Sequence, residues 1–124
     1  MNVMKKILYI EDSENFKRIY GDRLTRDGFD LHYASNGREG LEKVKAEKPD
    51  LVILDMVMPE MSGEEMLTAL RALPEFEKLP VLVMSVLDQT ELVKKMNNLS
   101  IEGYLIKGVV SPNQMCEKIS EIFS

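Results

Sequence analysis

The sequence predicts an α/β fold: a doubly wound (βα)5 chain with five parallel strands in the order 2-1-3-4-5. Three observations carry this. Four short apolar runs are continuous rather than alternating, which suits strands covered on both faces of a parallel sheet. Segments with a helical period lie between them. Capping signals stand where those segments begin. Five strand and helix alternations in 124 residues imply right-handed crossovers and helices on both sides of one sheet.

In chain order, "ILYI" (7–10) is the first strand, and Phe16, Ile19, Tyr20 and Leu24 mark the apolar face of the first helix. "FDLHYA" (29–34) alternates and reads as an edge strand. A helix with Leu41 and Val44 follows, opened by a capping box at Asn36/Glu39. "LVIL" (51–54) is the third strand, then a box at Ser62/Glu65 opens a helix with Met66, Leu67, Leu70 and Leu73. "VLVM" (81–84) is the fourth strand, followed by a box at Asp88/Glu91 and a helix with Leu92, Met96 and Leu99. "GYLI" (103–106) is the fifth. The last helix opens at Ser111/Gln114 with Pro112 in its first position and carries Met115, Ile119, Ile122 and Phe123.

Composition narrows the function classes. The hydrophobic (44%) and charged (30%) fractions are those of a folded globular chain, so disorder is not expected. A net charge of -5 argues against direct nucleic-acid binding, which wants a basic face. The N-terminal apolar run ends at Glu11 and Asp12, short of the roughly 7–15 residues of a signal-peptide core. No segment approaches the roughly 20 apolar residues of a membrane span. With a single cysteine, Cys116, no internal disulfide forms, which fits a reducing cytoplasm. Cytoplasmic localisation without membrane insertion is the expectation.

Ligands of such sheets bind beyond the carboxyl ends of the strands. Glu11 and Asp12 directly follow the first strand and Asp55 directly follows the third, its neighbour in the predicted order. Two unit charges about 4 Å apart repel by roughly 4 kcal/mol at an effective dielectric near 20, so the cluster needs a cation. Hard oxygen donors suit Mg²⁺, which also recruits phosphate oxygens. Ser85 ends the fourth strand and Lys107 the fifth, offering a hydroxyl and an ammonium to a phosphoryl group. Together these residues are equipment for phosphoryl transfer. The plain alternative makes the acids solvated loop residues or caps, Ser85 a cap, Lys107 a solvated lysine and Tyr104 core.

With "ED" (11–12), "LDMVMPEMSG" (54–63), "MSV" (84–86) and "YLIK" (104–107) in order, the chain resembles a receiver domain of the two-component response regulators, particularly the stand-alone chemotaxis type. The resemblance covers essentially the whole chain and implies a single receiver domain over residues 1–124, with the flavodoxin-like sheet. It implies that Asp55 takes a phosphoryl group from the phosphohistidine of a sensor histidine kinase or phosphotransfer protein. Mg²⁺ would be held by Asp12 directly, by Glu11 through water, by Asp55 and by the Val57 carbonyl. Lys107 would grip the phosphoryl group, Ser85 would turn to hydrogen-bond it, and Tyr104 would swing into the vacated space. The readout face would be residues 88–123, which would bind a downstream protein or pass the phosphoryl group on. Apart from its own phosphotransfer and dephosphorylation, such a protein is not an enzyme. The kinase and target are unnamed by the sequence, and phosphorylation-dependent dimerisation is left open.

Some positions depart from the family pattern. Lys107 is followed by Gly108 where the family often has a cis proline. A non-proline cis bond costs about 3–4 kcal/mol, so a trans bond is expected, with Gly108 supplying unusual backbone angles. Val57, Val86 and Leu87 make the rim of the site apolar, which predicts slow hydrolysis of an acyl phosphate. Met56, Met58, Met61 and Met66 read as gap-filling core side chains. Cys116 reads as a helix-packing residue and His32 as a surface residue of the edge strand.

A haloacid-dehalogenase type enzyme would want a second Asp where Val57 stands. A flavodoxin-like cofactor binder would want a phosphate loop in place of the acidic "EDSEN". The remaining alternative is a receiver-fold interaction module that works without phosphorylation.

Overall fold

The structure, a computed structural model, describes residues 4–86 and 99–124. Its five strands, β1 (Lys6–Ile10), β2 (Asp30–Ala34), β3 (Leu51–Leu54), β4 (Val81–Ser85) and β5 (Gly103–Ile106), form one sheet in the order β2-β1-β3-β4-β5. All four pairings are parallel. This is the predicted topology.

Continuous apolarity is explained by the pleat, which sends neighbouring residues to opposite faces. Leu8, Ile10, Val52, Leu54, Val81 and Val83 pack on one side. Ile7, Tyr9, Leu51, Ile53, Leu82 and Met84 pack on the other. The first layer is closed by α2 (Gly37–Glu47) and α3 (Gly63–Arg71) through Val44, Met66, Leu67 and Leu70. The second is closed by the helical rod α1 (residues 14–26) and by α4 (Pro112–Phe123) through Tyr20, Leu24, Met115 and Ile119. The rod called α1 has three consecutive parts: α-helical Glu14–Phe16, a π-helical turn Lys17–Gly21 and α-helical Asp22–Arg26.

Helix starts follow the predicted chemistry with one change. Ser62/Glu65 and Ser111/Gln114 form reciprocal capping boxes. Asn36 accepts from the Glu39 N–H at 2.8 Å, but the Glu39 carboxylate takes the N–H of Ser35 instead of Asn36. The Asp88/Glu91 box and the helix through Leu92 and Met96 lie outside the described residues.

Two helical expectations are corrected. Ile19 is 44% exposed, because the π turn keeps Phe16, Tyr20 and Leu24 inward. Leu73 is not helical: α3 stops at Arg71 and Leu73 is extended, as befits the residue before Pro74.

The smaller expectations hold. Met56 and Met66 are buried, and Met58 and Met61 pack against the same layer. His32 lies on the edge strand β2, paired with Asp30 at 3.0 Å. Cys116 is half-buried against the α1 and α4 layer, its thiol donating to Asp27, and burial pushes its pKa up to about 11.

Tyr9 is fully buried, and its hydroxyl has no hydrogen-bond partner among the described residues. An unsatisfied buried polar group costs about 1–3 kcal/mol. Tyr9→Phe is therefore expected to raise the unfolding free energy in urea by about 1 kcal/mol. A loss of stability on this substitution would show that the hydroxyl is satisfied.

Candidate functional site

The strand ends bring the chemistry together through backbone pairing that runs one residue beyond the ladders. Glu11 N–H donates to the Ala34 carbonyl (2.9 Å), Asp55 N–H to Ile10 (3.1 Å) and Lys107 N–H to Ser85 (2.8 Å). Three functional side chains are thus anchored at the carboxyl edge of adjoining strands before any side-chain contact is counted.

The loop after Asp55 is drawn tightly back. Gly63 N–H donates to the Met56 carbonyl at 3.2 Å, and a Cβ on Gly63 would sit 2.3 Å from the Asp55 carbonyl oxygen. Only glycine allows that approach, because backbone atoms cannot rotate away. The Ser62–Glu65 capping box then starts α3 and fixes the far end of the loop.

At the centre, Lys107 Nζ lies 2.7 Å from Glu11 Oε2 and 3.3 Å from Asp55 Oδ2. Glu11 is fully buried and Asp55 and Lys107 nearly so, while Asp12 is exposed at the mouth. Glu11 Oε1 accepts from the Ser13 N–H (3.1 Å), and Asp55 Oδ1 accepts from the Val57 N–H (3.4 Å). The Phe16 ring lies 4.5 Å from the lysine nitrogen. Ser85 is fully buried at the end of β4, and Tyr104 is half-buried on the α2 and α3 side of β5. Val57 and Val86 are each 54% exposed. Leu87 lies outside the described residues.

The alternative of solvated acids therefore fails for Glu11 and Asp55. Ser13, not an acid, caps α1 by accepting from the Phe16 N–H. Lys107–Gly108 is trans, since the described residues contain no cis peptide bond, and Gly108 has φ +82.

The electrostatics are unbalanced. Burial pushes the Glu11 carboxyl above its ordinary range, against the pull of Lys107. Burial also raises Asp55, against Lys107 and the Val57 N–H. One lysine does not fully answer the two buried carboxylates, and Asp12, exposed at the mouth, adds a third carboxylate to the cluster. Carboxylate oxygens of Glu11, Asp12 and Asp55 all lie within 4.8 Å of one another. This hard-oxygen, negatively charged donor set fits Mg²⁺.

Sequence reasoning missed three contributors: the Ser13 amide on Glu11, the Phe16 ring over Lys107 and the Tyr20 hydroxyl. Tyr20 donates to the Val110 carbonyl (2.7 Å) and accepts from the Gly108 N–H (3.0 Å). The i, i+4 spacing of Phe16 and Tyr20 was visible, but it read only as a core face.

With a strand-end Asp, a buried lysine and an acidic mouth in this sheet, comparison with known proteins gives one answer. The model of the response regulator receiver domain matches residues 7–120. The chain belongs to this family. It is 35% identical over 121 residues to the chemotaxis protein CheY of Treponema pallidum, covering 94% of this chain and 81% of that protein. It is 34% identical over 121 residues to the alkaline phosphatase synthesis transcriptional regulatory protein PhoP of Bacillus subtilis, covering 95% of this chain.

Among solved structures, the chemotaxis response regulator CheY4 of Vibrio cholerae superposes with a TM-score of 0.88 at 25% identity, over 97% of this chain and 99% of that one. The receiver spans 48% of PhoP and 12% of the sensor histidine kinase TmoS of Ectopseudomonas mendocina. Receivers are switches of two-component signalling rather than enzymes in the usual sense. Among the described residues no helix is long and apolar enough to cross a membrane.

Mg²⁺ at ten times its Kd is expected to stabilise the receiver by about 1.4 kcal/mol, read as a rise in Tm. In EDTA, Asp55→Asn is expected to melt about 4 °C higher than the unsubstituted protein, because one fewer carboxylate competes for Lys107. The same variant should gain less from Mg²⁺. Equal Mg²⁺ responses, or a lower Tm for the variant in EDTA, would contradict this charge balance.

Proposed function

We propose that this receiver accepts a phosphoryl group on Asp55 from the phosphohistidine of a sensor histidine kinase or phosphotransfer protein. The carrying observation is the Asp55 carboxylate, nearly buried at a strand end and held by Lys107 at 3.3 Å. A carboxylate oxygen of Asp55 attacks phosphorus as the bond from phosphorus to the imidazole nitrogen breaks. The imidazole leaves with the electron pair and takes a proton from solvent, and an acyl phosphate remains on Asp55.

Lys107 Nζ already sits where it can follow the incoming oxygens, and catalysis by positioning and charge is what phosphoryl transfer requires. The Ser85 hydroxyl, at the end of the neighbouring strand, is the hydrogen-bonding partner for the new phosphoryl group. Asp12, Asp55, Glu11 through water and the Val57 carbonyl would hold Mg²⁺. When bound, the ion neutralises charge that builds up on the phosphoryl oxygens.

Phosphorylation adds charge and acceptor oxygens beside Lys107, redistributing contacts that now go to Glu11 and Asp55. Movement of Ser85 toward the phosphoryl group and of Tyr104 into the freed space would carry the change to the readout face expected over residues 88–123, of which β5 and α4 lie among the described residues. That face binds a downstream protein, or the phosphoryl group is passed on. The same site performs the hydrolysis that ends the signal, slowed by Val57 and Val86 at its mouth.

Incubation with acetyl phosphate followed by intact-mass spectrometry tests this reading. Asp55 attacks the phosphorus, the bond to the acetate oxygen breaks, and acetate leaves. The expected result is one phosphoryl mass gain that requires both Mg²⁺ and Asp55 and persists for minutes without a phosphatase. No gain in folded protein would favour an interaction module that works without phosphorylation. A gain that decays within seconds would overturn the role given to the apolar rim.

A further inference from the structure

Lys107 is followed by a turn that its own sequence leaves loose. Gly108 stands at φ +82, where glycine alone is unstrained, and glycine also populates negative φ readily. Val109 is 78% exposed, so the outer side of the turn has little packing. Inside the turn, the N–H groups of Val109 and Val110 both reach the Ile106 carbonyl, at 3.2 and 2.9 Å.

The anchor comes from another element, nearly ninety positions earlier in the chain. The buried Tyr20 hydroxyl accepts from the Gly108 N–H at 3.0 Å and donates to the Val110 carbonyl at 2.7 Å. Both of its hydrogen-bonding functions are spent on this one turn. A proline after Lys107 would have no N–H to offer.

One turn earlier in α1, Phe16 presents its ring 4.5 Å from the Lys107 nitrogen and stacks on Tyr20, with ring centroids 6.2 Å apart and planes 16° from parallel. A cation over an aromatic face in a desolvated site is attracted by the ring quadrupole. The π turn Lys17–Gly21 contains Tyr20. Its wider winding offsets the drift that a 3.6-residue period gives to an i, i+4, i+8 series, so Phe16, Tyr20 and Leu24 share one face.

We propose that Phe16 and Tyr20 are positioning residues for Lys107: the Tyr20 hydroxyl fixes the turn behind the lysine, and the Phe16 ring fixes its ammonium. Helix α1 thereby sets where the phosphoryl-binding charge stands. The inference deepens the phosphoacceptor role proposed for Asp55 and rests on it for its kinetic consequence.

Tyr20→Phe removes only the hydroxyl. The rate constant for Asp55 phosphorylation by acetyl phosphate in Mg²⁺ is expected to fall about 3–10-fold, the factor one hydrogen bond carries. In a Lys107→Ala background the same substitution should change the rate by less than about twofold, as for groups acting through one residue. It should still lower the Tm there, so stability and rate separate.

The ¹⁵N signal of the Lys107 ammonium is expected to be sharp in the unsubstituted protein and to broaden in Tyr20→Phe. Phe16→Leu, which keeps the hydroxyl, should broaden it too and provides the second variant if the first does not fold. A Tyr20→Phe rate equal to that of the unsubstituted protein, equal losses in both backgrounds, or an unchanged Lys107 signal would each overturn the proposal. If the unsubstituted protein takes no phosphoryl group, the Asp55 reading fails by itself, and the Lys107 signal alone decides the positioning role.

Discussion

One ammonium shared between two buried carboxylates is the constraint on which this structure depends. Lys107 reaches Glu11 and Asp55 at once, and all three side chains lie at least nine-tenths out of water. Burying charges costs several kcal/mol each unless they are paired and hydrogen-bonded. The Ser13 and Val57 amides and the Phe16 ring share in that compensation, yet both carboxyls remain pushed upward by burial. A site in this condition favours an added cation at its mouth and is sensitive to any change in charge on Asp55.

The fold exists in large part to hold that arrangement. A parallel sheet lines up the carboxyl ends of β1, β3, β4 and β5 along one edge, and the pairing continues through the N–H groups of Glu11, Asp55 and Lys107. Residues at those positions cannot slip without reversing which faces of their strands are buried. The two apolar layers make such a slip costly, since neighbouring residues of β1, β3 and β4 pack on opposite sides. Rigid strands thus carry the charges, while the connecting turns, tightened by Gly63 and by Tyr20, set their last ångström.

Local and periodic features were legible in the sequence; features made by distant contacts were not. Asp55 and Lys107 stood out because apolar runs end on them, and Ser62 and Ser111 because a capping box is a four-residue signal. At Asn36 only half of the box forms, the Glu39 carboxylate taking the Ser35 amide, a choice that spacing does not encode. Leu73 was misplaced although Pro74 beside it carried the warning. The full burial of Glu11 was hidden by the length of its side chain, and it follows from Lys107, ninety-six positions away. The i, i+4, i+8 series of Phe16, Tyr20 and Leu24 marked a core face but not the π turn that aligns it, and the double role of the Tyr20 hydroxyl depends on a turn at the other end of the chain.

The central claim is that Lys107 exists to answer buried negative charge. Equilibrium urea unfolding in EDTA at neutral pH, comparing Lys107→Met with Glu11→Gln/Lys107→Met, tests it most directly. The account predicts that Lys107→Met alone loses about 3 kcal/mol, the cost of leaving a buried charge without its partner, and that adding Glu11→Gln restores at least half of the loss. A Lys107→Met protein as stable as the unsubstituted one, or a double variant no more stable than Lys107→Met, would contradict it.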